Sequence, residues 1–487
     1  MPIPAQPRFA MIDVHRFLEG RQLFQRRKRD RIYGHYDEKK REYVITDLDT
    51  PRPWLNFLSN DVYCAIVSQI GEGYSAFRRL NGWPITHFYS EKYYVPREFR
   101  AGRHLWCHDV QTGRTWSFRP SVTEPPSGRC RHGLGYTVLE SSSEGIRSEW
   151  TIIVPAENVP IELWNLRLIN TGAGIRTLYI FPFVQWYSTA YPFGEDYYYH
   201  YFTEAQYHPD LQAVVTGEVD SESCLRFRAF MTIDHSVLDA DCDYDAFMGG
   251  VPDGEIPIAV QEGTCRGSYW AKGRIVAALR VSVSVPADSE VSVRILLGVL
   301  ARDFGTQPLG DYRDIICDLK ERYLTPASTR VVIKHLSEYW DKVIHSSWVK
   351  TPDPVFNRFV NVHLKYQLHQ TKRFTRSGQR GFRDVFQDMR SFVPIDPSST
   401  ARYLRLGLRY QYRNGRAVRV FGEYDGSYLD MGHNDSPIWV PATLAAYVKE
   451  TGDTAILEEK VPFLDGGQGT IYEHVLRAVR YLFDHRG

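Results

Sequence analysis

Val281-Ser-Val-Ser-Val285 and Val291-Ser-Val-Arg-Ile295, joined by Pro286-Ala-Asp-Ser-Glu290, set apolar against polar residues at every second position. A period of two belongs to a strand with one face in a core, and the proline-led insert can turn. The stretch therefore predicts a hairpin with one buried face. Toward the N-terminus the same signature recurs. Trp164, Leu166 and Leu168 alternate with Asn165 and Arg167, and Asn170-Thr-Gly172 punctuates that run. Short strand signals follow one another from Tyr43 to Leu300 with no long amphipathic segment between them, which predicts a large antiparallel β-sandwich.

Toward the C-terminus the period becomes helical near residue 305. Ile315, Ile316, Leu319 and Tyr323 form one face; Val332, Leu336, Tyr339, Trp340 and Val343 form a second. Pro352-Asp-Pro354 opens a further helix with Phe356, Phe359, Val360, Leu364 and Leu368 on one side. Ser436-Pro437 supplies an N-cap and a first-turn proline for a helix closed by Gly452. Thr470-x-x-Glu473 is a capping box for a last helix on Ile471, Val475, Val479 and Leu482, which meets Gly487. The helices after Phe356 are too few to close a helical barrel. They imply either a small open layer or a chain that stops early.

Composition bounds the function. At ~150 residues per domain, 487 residues suggest about three domains. Fifty-nine basic against 58 acidic residues give a net charge of +1, which excludes a general electrostatic grip on nucleic acid or anionic lipid. The basic run from Arg26 to Ile32 is then a solvated extension ahead of the first strand. The longest apolar stretch, Leu178 to Tyr187, is well short of the ~18 residues of a membrane span. The N-terminal residues lack a secretory apolar core. Seven scattered cysteines without a CxxC pair argue for reduced thiols in the cytoplasm, and against a zinc site or a disulfide framework.

The densest polar constellation is Arg373-Phe-Thr-Arg-Ser-Gly-Gln-Arg-Gly-Phe-Arg-Asp384-Val-Phe-Gln-Asp388, with four arginines and two aspartates between apolar helices. Such a loop can aim guanidinium groups and a carboxylate at one ligand: carboxylates accept from sugar hydroxyls, and arginine donates to ring substituents or phosphate. It can equally be an Arg-Asp network that caps a helix. Asp384 and Asp388, at i and i+4, face the same way, as paired carboxylates for glycosidic chemistry would. His363, His369 and His433 have no second ligand at metal spacing and are read as satisfied or exposed histidines. Glu423-Tyr-Asp425 and Asp435 are further acidic candidates, the latter with a structural reason to stand before a helix start. The aromatic fraction of 14% suits sugar faces, though a sandwich core absorbs most of it.

With those residues in view, the sequence resembles glycoside hydrolase family 94, the inverting disaccharide phosphorylases. The similarity runs through Tyr33-Gly-His-Tyr-Asp-Glu-Lys-Lys-Arg-Glu-Tyr-Val-Ile-Thr46, Thr50-Pro-Arg-Pro-Trp-Leu-Asn56, Gly73-Tyr-Ser75 and Cys130-Arg-His-Gly-Leu-Gly-Tyr136. It resumes at Thr375-Arg-Ser377, Gly381-Phe-Arg-Asp384, Gln387-Asp388, Asn434-Asp-Ser-Pro-Ile-Trp-Val440 and Ala445-Ala-Tyr-Val-Lys-Glu-Thr-Gly-Asp453. The resemblance implies a β-sandwich, a helical linker and a six-hairpin α/α barrel, here incomplete. The expected division is an extension over 1–32, the sandwich over 33–305, the linker over 306–350 and the first part of the barrel over 351–487.

The implied reaction is phosphorolysis of a β-linked gluco-disaccharide to α-glucose 1-phosphate, with inorganic phosphate as co-substrate and no cofactor or metal. Arg376 and Asp384 match the family's arginine and aspartate that hold the glucosyl unit, and Arg380 matches a second arginine there. Arg383 and Asp388 join them from the same cluster. Phe77 falls where the family has a tyrosine on the acceptor side. In the family the run equivalent to His485-Arg-Gly487 precedes a His-Gly-Leu-Pro block and then an Asp-Trp-Asn-Asp segment, whose last aspartate is the general acid. Residues 1–487 stop before that segment, so the general acid is expected to be absent from the chain and the chain inactive alone. A homodimer, or a second chain that completes the barrel, is the expected partner. The alternative is a non-catalytic carbohydrate-binding or partner-completing protein.

Overall fold

The computed structural model describes residues 31–78, 84–86, 102–121, 128–187, 203–217, 219–220, 226–251, 255–301, 312–372, 381–423, 426–432 and 435–485. Strands come first. In chain order they are β1 (Gly34–Asp37), β2 (Glu42–Ile45), β3 (Leu55–Ser59), β4 (Tyr63–Ser68), β5 (Ser75–Phe77), β6 (Arg103–Asp109) and β7 (Thr115–Ser117). Next come β8 (Arg129–His132), β9 (Tyr136–Ser143), β10 (Ile146–Ile153), β11 (Ile161–Asn170), β12 (Arg176–Gln185), β13 (Glu204–His208) and β14 (Ala213–Thr216). The set closes with β15 (Val219–Asp220), β16 (Arg226–Ile233), β17 (Val237–Asp243), β18 (Trp270–Lys272), β19 (Ile275–Val285) and β20 (Glu290–Ala301).

One antiparallel sheet has the order β1-β2-β8-β9-β10-β11-β20-β16-β14-β13-β18, with β15 beside β16. A second has the order β17-β19-β12-β6-β7, and β3-β4-β5 form a third. The first two face each other across a core that includes Leu105, Trp150, Trp164, Leu166, Leu178, Val281, Val283, Val293 and Ile295. The large antiparallel sandwich read from the sequence is the observed architecture.

The stretch 281–295 corrects the reading made of it. Val281, Val283 and Val285 are buried while Ser282 and Ser284 are exposed, so the alternation marks a half-buried strand. The partners differ from the expected hairpin. β19 pairs with β12 and β17, whereas β20 pairs with β11 and β16. The turn at 286–289, with Asp288 at φ +51°, therefore carries the chain from one sheet to the other. Buried Asn170 fastens the crossing: its backbone N–H donates to Ser289 O (3.0 Å) and its side-chain amide to Val285 O (3.0 Å). A period of two reports which face is buried and is silent on which strand shares the hydrogen bonds.

Helices cover the outer faces. α1 (Tyr244–Met248) and α2 (Ile258–Glu262) pack on Trp106, Phe181 and Phe183 of the smaller sheet. α3 (Tyr312–Tyr323) and α4 (Ser328–Ile344) lie on the larger one, with Ile316, Leu319, Val332, Leu336 and Trp340 against Ile153, Leu163, Phe230 and Leu296. Ile315, expected on that face, is 40% exposed. Gly135, at φ +84°, lets α4 approach: a Cβ there would stand 2.7 Å from Leu336 Cδ2. The Gly-Leu-Gly of residues 133–135 thus has a packing role.

α5 (Pro354–Arg358), a π-helical turn at Phe359–Leu364 and α6 (Lys365–Thr371) form one continuous rod. The first part of its expected apolar face points outward, with Phe356 48%, Phe359 52% and Leu364 37% exposed, while Leu368 packs against the helical core. The inward face is Asn361, Lys365, His369 and Gln370, because it meets backbone carbonyls that need donors. Lys365 Nζ donates to Ile344 O and Ser347 O at the end of α4, and Gln370 Nε2 donates to Phe57 O at 2.9 Å.

α7 (Phe382–Phe392), α8 (Pro397–Leu408), α9 (Trp439–Thr451) and α10 (Ile471–Asp484) share a second core around Phe386, Leu404, Val440, Leu444 and Ile471. α9 ends at Gly452 with φ +71°, as read, but a 3-10 turn (Ser436–Ile438) precedes it and Asp435, rather than Ser436, stands at the cap. The capping box of α10 is present: Thr470 Oγ1 accepts from Glu473 N (3.1 Å), and Glu473 Oε2 accepts from Thr470 N (2.8 Å). That helix buries Ile471, His474, Ala478 and Tyr481; Val479, expected inside, is 49% exposed.

Candidate functional site

α7 begins without a side-chain cap. Gly381 occupies the N-cap in extended conformation (φ −66°, ψ 144°), and Asp384 stands in the first turn, where the helix dipole favours a carboxylate. The start of the helix is tied to a distant segment. Gly381 forms a β-bridge with Val420, Phe382 N donates to Arg419 O (2.9 Å), and Arg419 N donates to Leu429 O (3.0 Å).

This pairing gathers charge around Asp384, whose side chain is 17% exposed. Arg419 Nη1 lies 3.9 Å from its Oδ2, and Arg383 Nε lies 4.0 Å from its Oδ1. Arg383 is also committed to Asp435, with Nη1 donating to Oδ2 at 2.5 Å. One turn on, Asp388 is buried on the inward face with Val385 and Met389. Arg383, Asp384 and Asp435 therefore meet at one end of the helical layer, and Asp388 sits one turn below. Arg376, Arg380, Asp425 and His433 lie outside the described residues.

Lys372, at the end of α6, is 6% exposed. Its Nζ contacts Asp61 Oδ1 at 2.9 Å and Asp396 Oδ2 at 3.6 Å, one carboxylate from the sandwich and one from the helical layer. The Tyr403 hydroxyl lies 3.2 Å from Lys372 O and 3.0 Å from Glu423 Oε2, and Arg402 Nη1 donates to Glu423 Oε1 at 2.8 Å. The Asp396 carboxyl is pushed up by burial. Hydrogen bonds from Ser398 and Ser399 and the Lys372 ammonium outweigh that and bring it down to about 2.

Phe77 departs from its expected place on the acceptor side, whereas His369 and His363 are satisfied or exposed. Phe77 is 1% exposed in the sandwich core, 5.9 Å from the Phe227 ring, with the Arg78 guanidinium over its face. A ring enclosed in this way has no face to offer an acceptor sugar, so the structure gives it packing. His369 is buried with Nε2 2.6 Å from the Tyr339 hydroxyl, and exposed His363 stands edge-on to Tyr36 at 5.2 Å. Arg419 was not legible from spacing, because long-range pairing alone brings it to α7, and Asp61 meets Lys372 only where the sandwich meets the helices. A lone arginine inside the apolar run Val418-Arg-Val420 was the one local signal.

The chain can make an anionic, hydroxyl-accepting edge flanked by guanidinium groups, which is the chemistry of a sugar subsite. Residues 41–323 match the glycosyl hydrolase 94 supersandwich domain, and residues 339–487 match the catalytic domain of the glycosyl hydrolase 94 superfamily. Solabiose phosphorylase of Paenibacillus borealis is 28% identical over 452 residues, which are 92% of this chain and 56% of that protein. The 3-O-beta-D-glucopyranosyl-beta-D-glucuronide phosphorylase of the same organism is 27% identical, over 94% of this chain and 57% of its own length. N,N'-diacetylchitobiose phosphorylase of Vibrio furnissii is 25% identical, over 93% and 60%. The chain spans less than two thirds of the length of these relatives.

Proposed function

The chain belongs to the glycosyl hydrolase 94 family, and from that premise we propose that it is the sugar-binding part of an inverting β-glucoside phosphorylase. The observation that carries the reading is the Asp384 carboxylate at the start of α7, accessible at its edge and flanked by guanidinium groups. Asp384 accepts from hydroxyls of the glucosyl unit. Arg376 and Arg380 donate to the same unit, Arg383 braces the site through Asp435, and Asp388 supports the helix face from below.

In the reaction a phosphate oxygen forms a bond to the anomeric carbon as the glycosidic bond breaks on the opposite face. The departing oxygen takes a proton from a general acid, and the products are α-glucose 1-phosphate and the acceptor sugar. No protein nucleophile and no cofactor are needed. Asp435 is engaged as the ion-pair partner of Arg383. The role proposed for residues 1–487 is to bind the glucosyl unit.

Calorimetric titration of the chain with glucose or cellobiose is expected to show binding that Asp384→Asn weakens about tenfold or more. Absence of binding to either sugar overturns the proposal.

One observation favours a partner. Tyr472 (51%), Leu476 (38%), Val479 (49%) and Phe483 (61%) form an exposed apolar stripe along α10, at the spacing of a helix face that packs on something. A second copy, or a chain that completes the helical layer, would cover it. The free state of the six described cysteines fits a reducing, cytoplasmic setting.

A further inference from the structure

We propose that Arg419 is a positioning residue for Asp384: its guanidinium sets the carboxylate that accepts from the sugar, and Gly381 is glycine so that the two can approach. The inference rests on the sugar-binding reading of Asp384.

Three observations carry it. Arg419 Nη1 approaches Asp384 Oδ2 at 3.9 Å, and Asp384 is its one carboxylate partner among the described residues. The backbone of Arg419 is locked to the same helix start, through Phe382 N to Arg419 O and the bridge beside it, so the guanidinium rides on the segment that fixes the carboxylate. Most specific is Gly381. Its φ of −66° is open to any residue, so backbone conformation does not require glycine there. Space does. A Cβ at 381 would stand 2.3 Å from Asp384 Oδ2 and 2.6 Å from Arg419 Nη1. The volume a side chain would fill is where the carboxylate and the guanidinium converge. Arg383 is a poorer candidate for the same duty, because Asp435 already holds it. A fixed cation beside an accepting carboxylate organises the site before the sugar arrives, which is how binding groups are held to useful geometry.

The test is a double-mutant cycle read by glucose binding to the full chain, with melting temperature followed in parallel. Arg419→Gln and Asp384→Asn are each expected to weaken glucose binding about tenfold, with the double variant no weaker than Asp384→Asn alone, because Arg419 acts through Asp384. Arg419→Lys should recover part of the loss. Gly381→Ala should reproduce it at an unchanged melting temperature, which keeps the test open if Arg419→Gln fails to fold. Loss in Asp384→Asn with full affinity in Arg419→Gln overturns the inference and leaves the sugar-binding reading intact. Additive losses in the double variant also overturn it, since Arg419 would then touch the sugar itself. Full affinity in Asp384→Asn overturns both.

Discussion

Arg103 is fully buried inside the sandwich, and its guanidinium is accommodated by oxygens from three strands. Nη1 donates to Ile66 O (3.1 Å), Nη2 donates to Ser75 Oγ (2.8 Å), and Nε lies 3.7 Å from Glu162 Oε1. Glu162, equally buried, accepts from Ser75 Oγ at 2.8 Å and from Trp164 Nε1 at 2.9 Å. A dry pair of this kind is worth little against an apolar replacement, but half of it is costly. Arg103→Met is therefore expected to destabilise by roughly 3–5 kcal/mol in urea unfolding, and Arg103→Met with Glu162→Gln by clearly less. Glu162 shares the parity of Trp164, Leu166 and Leu168, so its inward direction was legible in the sequence. Its partner was not, since β6 reaches β11 only across the core. The same limit applies at the site: Asp384 stood out in an arginine-rich loop, whereas Arg419 needed the bridge to Val420.

At the scale of elements, the features that depend on neighbours in the chain were the readable ones. The capping box of α10 and Gly452 at the end of α9 are local hydrogen-bond solutions. Asp396-Pro397 at the head of α8 is another: Asp396 Oδ1 accepts from Ser399 N at 3.0 Å. Its carboxyl lies at about 2 in the folded chain, below the unfolded value near 3.9. The stabilisation is thus complete above pH ~4 and lost as pH falls from there toward ~2. Asp396→Asn should flatten the pH dependence of unfolding in that window, measured by urea midpoints at successive pH values; an unchanged slope would exclude the linkage. The rod of α5 and α6 departs from its sequence periodicity for a physical reason. A π-helical turn rotates the faces, and the surface it meets is a set of carbonyls, so polar residues turn inward and Phe356 and Phe359 outward.

For the whole molecule, α3 and α4 meet the sandwich through apolar side chains, whereas the contact made by α6 and its end is polar and specific. Tyr366 OH donates to Phe57 O (2.6 Å), Ser59 Oγ donates to Gln370 Oε1 (2.7 Å), and Lys372 links Asp61 to Asp396. The residue that precedes the arginine-rich loop is thereby held by the sandwich. Lys372→Met should cost roughly 1–3 kcal/mol and separate one calorimetric transition into two, with the helical layer melting first. Retention of a single transition would show that the apolar contact of α3 and α4 suffices for cooperativity. The sequence by itself determined what depends on period and on near neighbours: strands before helices, the capping box of α10, Gly452 at the end of α9, the buried face of 281–285 and the family to which the motifs pointed. The tertiary structure alone decided which strands pair across 281–295, that Phe77 is enclosed, and that Arg419 stands beside Asp384. Alternation and capping are set by residues a few positions apart, whereas sheet partners and converging charges are set by segments that meet only when the core closes.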